Sequence, residues 1–366
     1  MPSSVPTLYR RGDSGTAILE FRDRLNGLGH LSDDAGGDLF DEGLDLAVRH
    51  FQQQRGLLVD GIVGQHTVRA LDEAHWALGD RLLSYQVSHL LRGDDIAQLQ
   101  QRLTGMGFDP GRIDGIFGHQ TFDAVCDFQR NVGLTPDGTC GPATLAALHR
   151  LSRSVSGGAP AALRENEALL RQGSTPAGRI IVVDAGHGGP DAGCTSDLLE
   201  WSEANIAFDI ATRVEGRLTA LGATAFLSRP ADLNMALDEQ ARAEFSNAAG
   251  ADLVISIHAD ALANEAARGV ATYFFGNATT HSSVGQRLAQ LIQDEIVTRT
   301  DLPDGRVHGK TWDLLRWTTM PAVRVEIGYL SNPTDAARLS DPGFRDVVAE
   351  AIASGVQHLF TPESQD

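Results

Sequence analysis

The chain has 366 residues, of which 42% are hydrophobic and 21% are charged, a composition typical of folded domains and not of a disordered chain. At roughly 100–200 residues per domain, this length predicts two or three domains. The formal net charge of −18, from 30 basic and 48 acidic residues, gives a surface that repels nucleic acid and anionic lipid unless a local basic run exists, and the sequence has none. We therefore expect no nucleic-acid partner.

No segment has the character of a targeting or membrane-spanning element. The N-terminus, residues 1–15, contains no apolar stretch of signal-peptide length, and no window approaches the ~18 apolar residues of a membrane span. These features predict a cytoplasmic protein, with export by another route left open. Three cysteines are too few and too widely spaced for a disulfide framework. We expect buried free thiols at Cys126, Cys140 and Cys194, with a Cys126–Cys140 bridge as the alternative.

The N-terminal part of the chain contains an internal repeat, which decides the domain organisation. Nine positions of the first copy recur 77 residues later, and Leu25 and Gly29 recur at an offset of 78 as Leu103 and Gly107. The nine positions are Phe51, Gln52, Gly56, Leu57, Asp60, Gly61, Gly64, Thr67 and Leu71. Chance agreement at this many positions is very unlikely, so we expect the two copies to have the same structure.

Each copy has the pattern of a small helical bundle. Ile96 and Leu99 follow helical spacing before glycines end the helix. Asp-Gly pairs then predict turns, and Thr121 is placed to cap the next helix. The two copies therefore predict small all-α domains at residues 8–76 and 88–151.

Residues 152–178 have the composition of a linker that encloses a short charged helix at residues 161–170. From Arg179 onward, short apolar runs alternate with amphipathic segments. Strands are predicted at 180–183, 224–227, 253–257, 270–275 and 322–325, and helices at 206–221, 282–299 and 344–360. This alternation predicts an α/β domain at residues 179–362, with helices packed on a sheet.

Three of the predicted strands end in residues capable of metal or acid–base chemistry. His187 follows the first strand within Asp-Ala-Gly-His-Gly-Gly, His258 ends another within Ser-Ile-His-Ala-Asp, and Glu326 ends a third. Ligands gather at the carboxyl ends of strands in open α/β sheets. Two histidines and a carboxylate leave a fourth position open, which is the pattern of a catalytic zinc that lowers the pKa of bound water to roughly 7. Glu326 would then transfer the proton.

The residues alone leave the third ligand open. Asp184, Asp191 and Asp260 compete for the carboxylate position, and a histidine at a strand end is often only structural. His281 and His308 fall in predicted loops and are interpreted as surface residues. The sequence contains no GxSxG motif for a serine nucleophile, and its GHGG run is not the GxGxxG of a dinucleotide site.

Three segments, residues 181–193, 256–260 and 321–332, resemble in order the motifs of the zinc-dependent N-acetylmuramoyl-L-alanine amidases of the Amidase_3 family. The resemblance covers roughly residues 179–360. It implies a twisted mixed sheet flanked by helices. It also implies hydrolysis of the amide bond between N-acetylmuramic acid and L-alanine in peptidoglycan or muropeptides.

The resemblance further implies a role for each site residue. His187 and His258 would be zinc ligands, and Glu326 would be the catalytic glutamate. The glutamate ligand of the family lies just before the first long helix, usually as Glu-Lys-Asp. Here the helix register places Glu203 at that position, with Glu200 as the second choice, although the Glu-Ala sequence departs from the family pattern.

The repeated copies resemble peptidoglycan-binding domains of the PG_binding_1 type, which concentrate an enzyme on its polymer. Two such repeats before an amidase domain, with the segments 155–158 and 307–316, are also similar to the CwlM-like proteins. Some members of that group have lost zinc ligands and regulate peptidoglycan precursor synthesis in the cytoplasm. The alternative hypothesis is therefore a non-catalytic regulator whose partners are cell-wall synthesis proteins, although this chain retains both histidines and Glu326.

Overall fold

The computed structural model describes residues 8–31, 37–151, 160–170, 173–196, 201–231, 236–262 and 264–361. Between Leu163 and Arg164 the chain divides into two compact units. Residues 152–159 of the predicted linker and Glu200 lie outside the described residues. Within the ranges above, no helix is both long enough and apolar enough to cross a membrane.

The first unit is helical, as the repeat predicts, and each copy has its own apolar core. Its helices are α1 (Thr16–Gly27), α2 (Glu42–Arg55), α3 (Gln65–Ala74), α4 (Asp94–Gly105), α5 (His119–Asn131) and α6 (Pro142–Leu151). The first copy contains α1 to α3 and the second contains α4 to α6. Ile96 and Leu99 are fully buried on one face of α4, which confirms the predicted helical spacing.

A buried glutamine organises the turn that follows α2. The Gln52 amide donates to Asp60 Oδ1 at 2.8 Å and to Thr67 Oγ1, while its Oε1 accepts the N–H of Gly61. Gly61 has a φ of 73°, which a residue with a side chain rarely adopts. The same contacts surround Gln129, with Asp137, Gly138 and Thr144, and Gln100, with Asp114, Gly115 and Thr121. The motif therefore occurs three times, once more than the sequence comparison detects.

Thr121 does not cap α5, and that prediction is wrong. The helix begins at His119 with Gly118 at its N-cap. Thr121 is buried, and its hydroxyl accepts a hydrogen bond from Gln100 and donates to the carbonyl of Pro110. The threonine bonds to the buried amide because an unsatisfied amide there would be costly.

The early half of the first copy uses an arginine in place of the glutamine. Arg22, at the position equivalent to Gln100, donates to the carbonyls of Gly37 and Leu39. It also forms an ion pair of 2.6 Å with Asp41, the N-cap residue of α2. An ion pair therefore takes the place of a neutral amide at this point of the repeat.

The second unit is built on a six-stranded mixed sheet. Its strands are β1 (Ile180–Ala185), β2 (Thr224–Leu227), β3 (Leu253–Asp260), β4 (Val270–Phe275), β5 (Asp304–Lys310) and β6 (Ala322–Tyr329). They lie in the order β2-β1-β3-β6-β4-β5. The strands β2, β1, β3 and β6 are parallel, whereas β4 is antiparallel to β6 and parallel to β5. The carboxyl ends of four adjacent strands therefore meet at one edge.

Helices cover both faces of this sheet. They are α8 (Glu203–Ala220), α9 (Glu239–Ala248), α10 (Ser283–Arg299), α11 (Asp313–Trp317), α12 (Pro333–Ser340) and α13 (Pro342–Phe360). Ile257 and Val325 pack in the core formed with α8, α10 and α13, whereas Val182 packs with α9 and α11. Because side chains alternate along a strand, His258 and Glu326 lie on the face of α9 and α11.

The five predicted strands and three predicted helices of this unit all occur, with ends shifted by a few residues. The edge strand β5 was not predicted, because its sequence is polar and contains two glycines. His308, predicted in a loop, lies in β5, although its ring is exposed as expected. His281 is exposed in the segment before α10, in agreement with its prediction.

The charged helix predicted inside the linker is α7 (Pro160–Leu170). Its Glu165 accepts hydrogen bonds from the Ser283 hydroxyl at 2.9 Å and the Val284 N–H at 3.0 Å, at the N-terminus of α10. A carboxylate at this end of a helix is favoured by the helix dipole. Glu165 belongs to the second unit, so these bonds hold this part of α7 within that unit.

All three cysteines are free thiols. Cys126 and Cys140 are buried, as expected, and the alternative bridge between them is not formed. Burial raises the pKa of Cys140 to about 12. Cys194 is half-buried.

The buried glutamine gives the first testable prediction. Gln52→Ala leaves the N–H of Gly61 and its other partners unsatisfied, at a cost of about 1–3 kcal/mol. We expect amide hydrogen exchange in α2 and α3 of the full chain to accelerate by about 10-fold to 100-fold. The control is Gln53→Ala, because Gln53 is exposed beside it. Equal exchange in both variants would contradict an organising role for Gln52.

Candidate metal centre

The carboxyl edge of the parallel strands brings the predicted site residues together. The strands β1, β3 and β6 are adjacent, and His187 lies two residues beyond the end of β1. His258 is in register with Glu326 across β3 and β6. The fold therefore brings together, at this edge of the sheet, residues that are up to 139 positions apart in the sequence, from His187 to Glu326.

His187, Glu203 and His258 form a group able to hold one metal ion. Their ligand atoms lie within 4.8 Å of one another. Glu203 Oε1 is 3.1 Å from His187 Nε2 and 2.9 Å from His258 Nδ1, and the two imidazole centroids are 5.1 Å apart. Two imidazoles and one carboxylate suit a divalent transition metal with an open fourth position. Elsewhere in the described chain, no three such side chains lie this close.

Glu203 is placed by α8, of which it is the first residue, and it is only 2% exposed. Its Oε2 accepts the N–H of Cys194 at 2.9 Å, and its Oε1 accepts the N–H of Ala259 at 3.2 Å. Burial alone would raise the pKa of this carboxyl. Hydrogen bonds to His187 and His258 outweigh burial and hold the pKa of Glu203 well below its ordinary value. Glu203 is therefore an anion at neutral pH, as a metal ligand must be.

Two buried arginines hold the loop that carries His187. The backbone of His187 has a φ of 59°, a left-handed conformation that is costly for a residue other than glycine. Arg229 donates to the carbonyls of Ala185 at 2.9 Å and Gly186 at 3.2 Å. Arg242 donates to the carbonyls of Ala185 and His187. These charged hydrogen bonds offset the backbone strain and fix the direction of the imidazole.

Gly186 and Gly193 make room for the imidazole rings. A Cβ atom on Gly186 would lie 2.3 Å from Cε1 of His258, and one on Gly193 would lie 2.7 Å from the ring of His187. Atoms this close overlap, so a side chain at either position would displace a ring. The small residues around His187 are therefore a packing requirement of the metal group.

The competing carboxylates Asp184, Asp191 and Asp260 lie outside the metal group. Asp191 Oδ2 is 2.8 Å from Nδ1 of His187, so Asp191 orients that ring, a usual role for a carboxylate behind a metal ligand. Asp184 is buried and bonded to other partners, which are Ser228, Ser256 and Arg242. Of the described carboxylates, only Glu203 joins the two histidines.

Glu326 lies beside the metal group and is only 2% exposed. Its Oε1 accepts a hydrogen bond from Arg324 Nε at 2.7 Å. Its Oε2 is buried and, among the described residues, has no hydrogen-bond partner. Burial, together with the nearby carboxylate of Glu326, raises the pKa of Asp260. A buried acceptor without a partner can take a proton from water and give it to a leaving amine.

Several residues that support the site were missed by sequence reasoning. Arg229 and Arg242 lie far from His187 in the sequence, and nothing there indicates that they bind its loop. Asp191 was considered only as a ligand. Arg324 did carry a signal, because residues two apart on a strand share a face, and this spacing predicts contact with Glu326.

Comparison with known families agrees with this geometry. The family model described as N-acetylmuramoyl-L-alanine amidase matches residues 181–358. The model described as a peptidoglycan binding domain matches residues 14–71 and 92–148. The two matches fall on the sheet-containing part and on the two helical copies.

Individual relatives match either nearly all of the chain or about half of it. The chain is 47% identical over 363 residues to N-acetylmuramoyl-L-alanine amidase CwlM of Mycobacterium tuberculosis, covering 96% of this chain and 89% of that protein. It is 31% identical to the germination-specific amidase of Bacillus subtilis, over 50% of this chain and 81% of that protein. The crystal structure of an amidase from Clostridium difficile is 28% identical, covers 52% of this chain and 99% of that one, and has a TM-score of 0.47. The chain therefore belongs to the N-acetylmuramoyl-L-alanine amidase family, with two domains of the peptidoglycan-binding family before its amidase domain.

Proposed function

We propose that the chain is a zinc-dependent hydrolase of the amide bond between N-acetylmuramic acid and L-alanine. His187, Glu203 and His258 hold the zinc, and Glu326 is the acid–base residue. One observation carries this proposal, namely the buried Oε2 of Glu326, without a partner in the described residues, beside a group suited to one metal ion. The names of the relatives as amidases support it.

The residues present fit zinc better than a hard cation. Zinc takes imidazole nitrogens and a carboxylate oxygen at about 2.0–2.2 Å, whereas magnesium and calcium prefer oxygen ligands alone. Bound zinc supplies a Lewis acid that polarises the scissile carbonyl and makes water nucleophilic at neutral pH.

Glu326 performs the proton transfers of the reaction. Its Oε2 accepts a proton from the water that attacks the carbonyl carbon. As the C–N bond breaks, the same carboxyl gives that proton to the departing amine of L-alanine. The remaining proton of the attacking water passes from the new lactyl carboxyl to the amine, so the sugar leaves as a carboxylate and the stem peptide leaves with a protonated amino terminus.

The helical copies hold the amidase domain close to peptidoglycan. Two binding domains on one chain raise the local concentration of the substrate without contacting the reacting bond. Peptidoglycan is therefore the partner we propose for the first unit, supported by its match to the binding-domain family.

Zinc binding is expected to stabilise the second unit, because its ligands come from three separate segments. Zinc at 100 times its dissociation constant adds about 2.7 kcal/mol. For a domain of this size, the melting temperature should rise by about 5–10 °C. Calorimetry of the full chain, with zinc and with a chelator, measures this shift.

The matched variants for that measurement are two glycine substitutions. Gly186→Ala places a Cβ against the ring of His258 and should remove most of the zinc-dependent shift. Gly216→Ala is the control, because a Cβ there meets nothing within 4 Å. A chelator without effect on the melting temperature of the unmodified protein would rule out the zinc assignment.

Glu326→Gln tests the catalytic role directly. The amide cannot accept the proton, so release of stem peptide from muropeptides should fall at least about 100-fold, while zinc content stays near one ion per chain. Chromatography of the products and metal analysis measure the two quantities. Full activity of Glu326→Gln, or an inactive wild-type protein with zinc bound, would contradict the proposed function.

The regulatory alternative predicts a different result in cells. A non-catalytic regulator would keep its phenotype after Glu326→Gln, because no proton transfer is needed. The amidase would lose its phenotype with this substitution alone. A strain carrying Glu326→Gln therefore separates the two hypotheses.

A further inference from the structure

Arg324 occupies the space between the acid–base residue and the helix layer. Its Nε lies 2.7 Å from Glu326 Oε1, and its Nη1 lies 3.0 Å from Glu239 Oε1. Its guanidinium carbon lies 4.8 Å from the centroid of the Trp312 ring. One arginine is thus held by a second carboxylate and by an aromatic face while it binds the carboxylate of Glu326.

The fold fixes each of these partners. Glu239 is the first residue of α9 and also accepts the N–H of Leu314 in α11 at 3.0 Å. Trp312 is the N-cap residue of α11, and its ring lies 4.6 Å from the ring of Tyr273 on β4. Arg324 is therefore anchored to α9, α11 and β4, and not only to its own strand.

The two oxygens of Glu326 are consequently unlike. Oε1 is bound by Arg324, whereas Oε2 is buried and has no partner in the part of the chain that the structure describes. Without the arginine, the carboxylate could rotate about its last torsion, which has broad wells. Such a rotation would change the direction in which the unbonded oxygen points.

We propose that Arg324 is a positioning residue that binds Oε1 of Glu326 and thereby keeps Oε2 free for the reacting proton. This inference rests on the proposed function for its catalytic consequence. Arg324 does not touch the reacting atoms. The segment Val307 to Arg316 contributes through Trp312, whose ring lies against the guanidinium.

The test compares Arg324→Leu, Arg324→Lys and the unmodified full-length protein loaded with zinc. A misplacement of about 1 Å at a reacting group can cost about 100-fold in rate. We expect Arg324→Leu to lower kcat by about 10-fold to 100-fold on soluble muropeptides, with KM within about twofold and zinc content unchanged. Arg324→Lys retains one charged donor and should recover part of the loss.

A control and a second readout complete the experiment. Arg299→Leu, at the end of α10, removes ion pairs to Glu295 of α10 and Glu350 of α13 and should leave kcat unchanged. Crystal structures of the unmodified protein and Arg324→Leu show the position of Glu326 independently of activity. We expect the carboxylate to rotate or to occupy two rotamers in the variant.

The outcomes separate this inference from the proposed function. An unchanged or higher kcat in folded, zinc-loaded Arg324→Leu would overturn the positioning role, as would a loss expressed only in KM. If the unmodified protein is no more active than Glu326→Gln, the proposed function fails, and the crystal structures alone decide the inference. A Glu326 carboxylate that keeps its position in Arg324→Leu would then refute it.

Discussion

The carboxylate of Glu203 is the interaction on which the site depends. It joins the loop after β1, the end of β3 and the start of α8 through two imidazoles and the N–H groups of Cys194 and Ala259. Because Glu203 is almost fully buried, its charge is tolerable only while these donors are present. These contacts therefore hold the two imidazoles and the carboxylate together as one group.

The surroundings of this carboxylate are rigid for identifiable reasons. Arg229 and Arg242 bind main-chain carbonyls around the strained backbone of His187. Gly186 allows the ring of His258 to approach the loop. Each residue acts on the position of a ligand and not on the ion itself. Substitutions at these positions should therefore displace the imidazoles, since groups behind a metal-binding side chain commonly set its orientation.

Much of the fold could be predicted because apolar runs and helical spacing report directly on burial. The edge strand β5 could not, since its residues are polar and its pairing with β4 is decided by tertiary contacts. At the site, His187 and His258 could be predicted from their positions at strand ends, whereas Glu203 was predicted only through the family resemblance. The contacts of Arg229 and Arg242 could not be predicted, because a side chain that binds carbonyls far away in the sequence leaves no local pattern. The contact of Arg324 with Glu326, by contrast, was indicated by the two-residue period of a strand.

Arg22, at the position of the repeated glutamine, makes the entrance to α2 depend on the ionisation of Asp41. The turns around the glutamines also contain a carboxylate, and the pKa of Asp137 is lowered by the N–H of Thr139 and by the amide of Gln129. The equivalent bond of Arg22 needs an ionised Asp41, whose pKa is lowered by the N–H of Leu44 and by Arg22. A lowered pKa contributes stability above the unfolded value, and that stability is lost as pH falls through the folded value. Acidification therefore removes stability both from the entrance to α2 and from the turn around Gln129, so the two helical copies share a sensitivity to acid.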